Sequence, residues 1–124
     1  MRKLFLAALL LLPATPAFAT GTIHCRVGNA GPEIYFVVGR GAASAISQMT
    51  LRDGPRAFTT GVNAGSPAIA QSWLDARELK VDVIDSNAEF HVAQLRARRS
   101  GAGRYRGTLT YRGGRHAITC EFED

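Results

Sequence analysis

The sequence predicts an all-β fold: a single antiparallel barrel or sandwich of about eight strands after an N-terminal export signal. Three observations support this. Beyond residue 20, short stretches alternate apolar and polar residues, these stretches are rich in Val, Ile, Thr, Phe and Tyr, and clusters of Gly, Pro, Asn or Asp separate them. Period-two alternation with regularly spaced turn signals is typical of small sandwiches and barrels.

Individual strands follow from this pattern. We expect them near residues 21–28, 33–40, 44–52, 68–74, 79–85, 88–98, 104–112 and 115–122, with an additional strand near 57–62. The stretch 68–74 has a second interpretation, because Ser66 and Pro67 resemble a helix N-cap and first helical position. The apolar residues that follow fall at helical spacing, so one helix at Pro67 to Leu74 is the alternative to a strand there.

The start of the chain has the three parts of a secretory signal peptide. Arg2 and Lys3 carry the positive charge, Leu4 to Leu12 form the apolar core, and Ala17 to Ala19 form a small-residue cleavage site. The apolar run is shorter than the roughly 20 residues that cross a bilayer. We therefore expect cleavage near Ala19 and a soluble mature domain, residues 20–124, in the periplasm or secreted.

The two cysteines lie at opposite ends of the mature chain. Cys25 falls in the first predicted strand and Cys120 in the last. Because an exported protein folds in an oxidising compartment, we expect a disulfide between them. Closing so long a loop stabilises a small domain by about 4 kcal/mol in the chain-entropy model.

The charge distribution is uneven along the chain. The full sequence carries a net charge of +5, and without Arg2 and Lys3 it has 13 basic and 10 acidic residues, which leaves +3. Between Phe90 and Cys120 there is no acidic residue, whereas seven arginines occur there: Arg96, Arg98, Arg99, Arg104, Arg106, Arg112 and Arg115. The acidic residues gather at 75–89 and in the C-terminal tail, so we expect a basic region on the surface.

A hairpin at the end of the chain places these arginines. Gly113 and Gly114 separate two alternating runs and are typical of a two-residue turn. The resulting register pairs Gly107 with Cys120, Arg106 with Glu121 and Arg104 with Glu123, and it puts Leu109 opposite Ile118. A preceding turn at 100–103 then brings Arg96 and Arg98 beside Arg106 and Arg104. A bulge is also expected near Val92, because its parity differs from that of Leu95.

This outer face is the candidate binding site, with Arg96, Arg98, Arg104, Arg106 and Ser100 as its residues. Guanidinium groups held on a sheet bind phosphate or carboxylate in bidentate fashion, so an acidic protein or an anionic envelope component is the expected partner. The ordinary alternative is a solvated surface whose arginines reflect composition and pair with the tail glutamates. Nucleic acid is not expected, since no exposed aromatic residues interleave with the basic ones.

Metal binding and catalysis have little support in the sequence. His91, Tyr111 and His116 fall in one row of the proposed register, but they lack a third strong metal ligand. The oxygen-bearing residues Asp82, Asp85, Asn87 and Glu89 lack calcium-loop spacing and are better explained by a hairpin turn at Asp85 to Asn87. No G-x-S-x-G, H-E-x-x-H or S-x-x-K motif occurs. We therefore expect neither an enzyme nor a cofactor.

The stretch from Ser100 to Tyr105 and the closing hairpin from Gly113 to Cys120 resemble the small periplasmic inhibitors of C-type lysozyme. Members of that family are disulfide-bearing antiparallel β-barrels with a Ser/Gly-rich loop that ends in a basic residue and a tyrosine. Their loop serine and basic residue enter the lysozyme cleft and meet its catalytic carboxylates. The resemblance implies that role for Ser100 and Arg104.

Two functional hypotheses follow. The first is a non-catalytic binding module, of the inhibitor type, that uses the arginines and Ser100 against an acidic partner. The second is a small barrel that binds an apolar or amphipathic ligand inside, with Phe36, Met49, Trp73 and Phe90 around it. The second hypothesis requires an interior cavity, whereas domains of this size have filled interiors as a rule.

Overall fold

The computed structural model describes residues 20–40 and 44–123, which form one antiparallel sheet curled into a half-barrel. Its nine strands are β1 (Thr20–Arg26), β2 (Glu33–Arg40), β3 (Ser44–Asp53), β4 (Arg56–Thr59), β5 (Ala68–Leu74), β6 (Glu78–Ile84), β7 (His91–Gly101), β8 (Arg104–Tyr111) and β9 (Gly114–Glu123). The predicted all-β class is confirmed. The stretch 68–74 is a strand, not a helix, and the additional strand is β4. The predicted signal peptide, residues 1–19, lies outside the described residues.

The order of strands across the sheet is β4-β3-β2-β1-β9-β8-β7-β6-β5. Successive strands pair as hairpins along each half, and the pairing of β1 with β9 joins the two halves. Although β3 and β5 lie near opposite edges of this order, they contact each other, so the curled sheet brings its two ends together. Among the described residues, no helix is long and apolar enough to cross a membrane.

The concave side of the sheet holds the hydrophobic core, because each strand turns alternate residues inward. The largest fully buried side chains are Phe36, Ile23, Ile34, Met49, Leu51, Leu79, Leu95, Leu109, Val38, Val81 and Val83. On β7 the buried residues Ala93, Leu95 and Ala97 alternate with outward-facing polar ones. The convex side is therefore the polar surface that any partner meets.

The predicted disulfide is present and ties the two halves of the sheet together. Cys25 and Cys120 lie directly opposite each other on β1 and β9, with their Cα atoms 4.0 Å apart. Both half-cystines are fully buried. The bridge spans 95 residues of sequence, so it links the first strand to the last across the whole described domain.

The predicted register of the β8–β9 hairpin is wrong by two residues. The turn consists of Arg112 and Gly113, whose φ angles of 50° and 74° are the positive pair that a type I′ turn requires. Tyr111 therefore pairs with Gly114, Tyr105 with Cys120 and Arg104 with Glu121. A slip of two residues keeps every side chain on its own face, so the apolar pattern could not distinguish the two registers.

The reason why position 107 must be glycine differs from the predicted one. It lies opposite Ala97 and Ile118, not opposite Cys120. A Cβ atom at this position would lie 2.6 Å from the Cα atom of Ala97 and would overlap the Arg96 carbonyl oxygen. Glycine is needed here because the backbone of β7 approaches β8 closely where the sheet bends.

The connection between β6 and β7 contains the expected turn and the expected bulge. Asp85 closes the β6–β7 turn, since its Oδ1 atom accepts hydrogen bonds from the backbone N–H groups of Glu89 (2.7 Å) and Phe90 (2.9 Å). These contacts lower the pKa of Asp85, with the Phe90 N–H as the largest cause. The register then shifts between Val83 and Ile84, which leaves Val92 as the bulged residue.

Candidate functional site

The predicted arginine residues lie together on the convex side of the sheet. We define the arginine face as Arg96 and Arg98 on β7 with Arg104 and Arg106 on β8. All four are exposed, whereas their chain neighbours Leu95, Ala97 and Tyr105 point into the core. The alternation of the two strands thus separates an apolar inner row from a cationic outer row.

The centre of the arginine face is a pair of like charges. Arg98 and Arg106 are direct cross-strand partners, and their Cβ atoms are therefore about 5 Å apart. In the described part of the chain, neither guanidinium forms an ion pair with a carboxylate. Like charges placed directly opposite each other destabilise a sheet. A bound anion would relieve this repulsion and accept hydrogen bonds from both groups.

Arg96 is held by a carboxylate that the sequence did not suggest. Its Nη1 atom donates to Asp82 Oδ1 at 2.7 Å and to the carbonyl oxygen of the preceding residue, Leu95, at 2.9 Å. The hydrogen bond from Arg96 is the main cause that lowers the pKa of Asp82, against the opposing effect of burial. The same contact raises the pKa of Arg96. Its side chain remains 49% exposed, so the rest of the guanidinium can still reach a partner.

The edges of the face carry weaker pairs. Arg104 Nε lies 3.4 Å from Glu121 Oε1, and the two side chains are 64% and 57% exposed. Such a surface pair contributes little to stability and breaks readily when a partner binds. On β6, Lys80 pairs with Glu78 at 3.1 Å and adds a cation beside Arg96. A groove of about 400 Å³ runs along these strands, lined by Glu78, Lys80, Arg96, Ala97, Arg98, Arg106 and Gly107.

The glutamates of the C-terminal strand pair with the arginine face differently from the prediction. Arg106 faces Thr119, not Glu121. Glu123 lies beside His24, with 3.2 Å between its Oε1 atom and His24 Nδ1. The predicted pairings of Arg106 with Glu121 and Arg104 with Glu123 are therefore wrong. Because the register is shifted, Arg104 takes Glu121 as its partner, and Arg106 forms no ion pair with a carboxylate among the described residues.

His24 itself was not singled out by the sequence. It lies on the convex side of β1 but is only 7% exposed, because its ring stacks on Tyr35 with the ring centroids 4.4 Å apart. Its Nε2 atom is buried without a hydrogen-bond partner among the described residues and lies 3.7 Å from Glu33 Oε2. A single histidine that alternates with the inward-facing Ile23 and Cys25 is expected on the exposed side, so the sequence carries no signal of its burial.

Ser100 lies at the end of β7, where the register shifts between Arg99 and Gly101. It is exposed, and the turn residues Ala102 and Gly103 follow it before β8 begins at Arg104. Phe122 donates its backbone N–H to the Gly103 carbonyl oxygen at 2.9 Å, which anchors this turn to β9. Ser100 and Arg104 thus flank a tight hairpin tip at one end of the arginine face.

The predicted row of His91, Tyr111 and His116 does not form. His91 lies at the β7 bulge opposite Ile84, whereas Tyr111 pairs with Gly114 and His116 pairs with Leu109. The corrected hairpin register removes the alignment on which the row depended. Among the described residues, no group of three or more His, Cys, Asp or Glu side chains is placed to hold a metal ion.

The four residues predicted around an interior ligand are also not together. Phe36 and Met49 are cross-strand partners in the packed core and are 0% and 1% exposed. Trp73 and Phe90 lie on the outside and are 58% and 61% exposed. Trp73 points outward because it pairs with Lys80, while the neighbouring pair Leu74 and Leu79 faces the other side of the sheet. Extending the apolar–polar alternation of β6 to its hairpin partner β5 would have predicted that Trp73 points outward.

Comparisons of this chain with protein-family models, with curated proteins and with solved structures found no match.

Proposed function

We propose that this protein is a non-catalytic binding module that holds an anionic partner on its arginine face. The observation that carries the proposal is the direct pairing of Arg98 with Arg106, both exposed and, among the described residues, not in an ion pair with a carboxylate. Glu78 is the β6 partner of Arg98, but its carboxylate pairs with Lys80. A folded protein tolerates this repulsion at a cost to stability, and a bound anion offsets that cost. The disulfide fits an oxidising compartment, where acidic proteins and anionic envelope components are the available partners.

The arginine face suits carboxylate or phosphate groups. Each guanidinium group presents a fork of N–H donors, and such a fork binds a planar or tetrahedral oxyanion through two hydrogen bonds. Arg96 and Lys80 extend the positive surface toward β6, although Asp82 and Glu78 balance part of their charge. Glu78 also lies opposite Arg98, so Arg106, which faces Thr119, is the arginine of the face farthest from a carboxylate on a neighbouring strand.

An inhibitor of the lysozyme type is the specific form of this proposal that the sequence resemblance suggests. In that form Ser100 and Arg104 would enter an acidic cleft while the arginine face contacts its rim. The exposed hairpin tip and the weak pair of Arg104 with Glu121 are compatible with this arrangement. Lysis of bacterial cell walls by a C-type lysozyme, measured with and without the mature protein, tests it, and Ser100→Ala with Arg104→Ser should abolish any inhibition.

The general proposal is tested by binding of labelled poly-glutamate and of vesicles that contain anionic phospholipid. Binding should weaken as salt is added, because the contacts are electrostatic and exposed. Replacing Arg98 and Arg106 with Ser should weaken binding about tenfold or more. The matched control replaces Arg56, at the start of β4, and Arg112, in the β8–β9 turn; both arginines are exposed and lie away from the face, so binding should change little. Equal losses in both double variants would refute a localised site.

A further inference from the structure

An exposed tryptophan lies beside the arginine face. Trp73, on β5, is 58% exposed and is paired with Lys80 across the β5–β6 hairpin. Its Nε1–H donates a 2.9 Å hydrogen bond to Asp75 Oδ2. Asp75 Oδ1 in turn accepts from the backbone N–H groups of Arg77 and Glu78, each at 2.7 Å. The indole ring is therefore held in place at the surface by a turn that is itself fixed.

The ring borders a polar groove of about 400 Å³ on the convex side of β5, β6 and β7. Its lining residues are Gln71, Ser72, Trp73, Lys80, Val81, Asp82 and Arg96. In the described part of the chain, both hydrogen bonds to the Asp82 carboxylate go to Oδ1, from Arg96 and Gln94, which leaves Oδ2 for a ligand. Because Arg96 lowers its pKa, this carboxylate stays ionised and acts only as an acceptor.

This combination of groups matches the chemistry of a sugar ring. A pyranose offers a C–H face that packs on an aromatic ring and hydroxyl groups around its edge that donate and accept hydrogen bonds. The groove supplies the aromatic ring, a carboxylate acceptor, the amide of Gln71 and the donors of Lys80 and Arg96. Binding sites of this kind combine an apolar surface with a few placed polar groups.

We propose that the Trp73 groove binds a sugar residue of an anionic glycan whose acidic groups extend to Arg98 and Arg106. The inference rests on the proposed function, because the acidic groups occupy the same arginine face. Lys80 and Arg96 connect the two regions, since Trp73, Lys80 and Arg96 occupy one row across β5, β6 and β7.

The distance across the strands indicates a chain of sugars, not a single one. Trp73 on β5 and Arg106 on β8 are three strand spacings apart in the sheet. At about 4.8 Å per spacing this is roughly 14 Å. Arg98 on β7 is two spacings, or about 10 Å, from Trp73. A sugar packed on the indole ring therefore does not also span both arginines, whereas an oligosaccharide with repeated acidic groups can.

A single-stranded nucleic acid fits the same surface less well. Such chains stack successive bases on several aromatic side chains. Among the described residues that point outward on β5 to β8, Trp73 is the only aromatic one.

The test compares three probes on the mature protein: oligogalacturonate, its carboxyl-reduced neutral form, and poly-glutamate with the same number of carboxylates. Binding is measured by calorimetry and by the emission of Trp73, the only tryptophan in the sequence. Oligogalacturonate should bind about fivefold to tenfold more tightly than poly-glutamate, because only the sugar packs on the ring. The neutral glycan should bind weakly but still change the Trp73 emission.

Substitutions then assign the two contributions. Trp73→Ala should reduce oligogalacturonate affinity to that of poly-glutamate and leave poly-glutamate binding unchanged. Trp73→Phe, which keeps a ring, should restore part of the difference. Phe90→Ala removes another exposed aromatic side chain outside the groove and serves as the matched control, with no effect expected.

The results distinguish a failure of the proposed function from a failure of the sugar site alone. If neither polyanion binds, the arginine face is not a binding site and both proposals fall. If both polyanions bind equally and Trp73→Ala changes neither, the proposed function stands and the sugar site is refuted. Binding of poly-dT that is as tight as that of oligogalacturonate and depends equally on Trp73 would also overturn the glycan assignment.

Discussion

The indole N–H of Trp73 donates a 2.9 Å hydrogen bond to the carboxylate of Asp75, two residues along the chain. The backbone N–H groups of Arg77 and Glu78, followed by this indole contact, lower the pKa of Asp75 from its ordinary value of 3.8. The carbonyl oxygen of Asp75 also accepts a 2.8 Å hydrogen bond from the Tyr105 hydroxyl on β8. One turn residue thus joins the exposed tryptophan to the core side of the sheet.

Because of this contact, the emission of Trp73 should report the protonation of Asp75. As the pH falls, the emission should change with a midpoint below 3.8, since the native state favours the ionised carboxylate. Asp75→Asn should remove the transition, while Asp85→Asn, in the β6–β7 turn, should leave it. A midpoint at or above 3.8 would contradict the hydrogen-bonded geometry.

Asp82 should stabilise the fold in a pH-dependent way. Its pKa is lowered in the native state, so its contribution is complete above the unfolded value of 3.8 and is lost as the pH falls through the native value. Asp82→Asn should cost roughly 1–2 kcal/mol at pH 7, because a charge-assisted hydrogen bond to Arg96 is lost. Urea unfolding at neutral and acidic pH measures this difference.

The control for Asp82 is the same substitution in a protein that already carries Arg96→Ser. There the cost should be much smaller, because the partner of the carboxylate is missing. A cost for Asp82→Asn that is equal at pH 7 and well below pH 3.8 would show that the charge of Asp82 is unimportant.

Gly107 should not tolerate a methyl group. Gly107→Ala would place a Cβ atom 2.6 Å from the Cα atom of Ala97, and since backbone cannot move aside easily, we expect a loss of roughly 1–3 kcal/mol or failure to fold. Gly39→Ala is the matched control, because a Cβ on that strand meets only the Ala45 carbonyl oxygen at 3.9 Å. Thermal unfolding measures the melting temperatures of both variants. Equal melting temperatures would contradict the close approach of β7 to β8.

The disulfide should account for much of the stability of the domain. Replacing Cys25 and Cys120 together with Ala should lower the free energy of unfolding by about 4 kcal/mol, because the bridge closes a loop of 95 residues. Urea unfolding of the oxidised protein, the reduced protein and the double variant measures this. If the oxidised and reduced proteins unfold at the same urea concentration, the bridge does not stabilise the fold.

The sequence was sufficient to predict the fold class, most strand positions and the Cys25–Cys120 bridge, because period-two alternation and turn residues act locally. The register of the last hairpin could not be predicted from the sequence. Apolar alternation fixes only which face a residue occupies, and a slip of two residues preserves every face. The turn places Arg112, a non-glycine residue, at positive φ, and the adjacent pair Gly113–Gly114 made a turn one residue later the expected one.

The candidate site was predicted in part. The four arginines share a face because they alternate with buried residues, and alternation is readable in sequence. The ion-pair partners could not be predicted, because they depend on the strand register. Glu123 pairs with His24, and Arg96 pairs with Asp82 on β6. Trp73 was misplaced because an aromatic residue in a β-strand usually suggests the core, whereas its pairing with Lys80 turns it outward.

The most direct test of the central claim is a nuclear magnetic resonance titration that follows the arginine side-chain Nε–H signals as an acidic polymer is added. The signals of Arg98 and Arg106 should shift first and furthest, followed by those of Arg96 and Arg104, and added salt should reverse the shifts. Larger shifts at Arg56 and Arg112, or uniform shifts at every exposed arginine, would contradict a binding site on the arginine face.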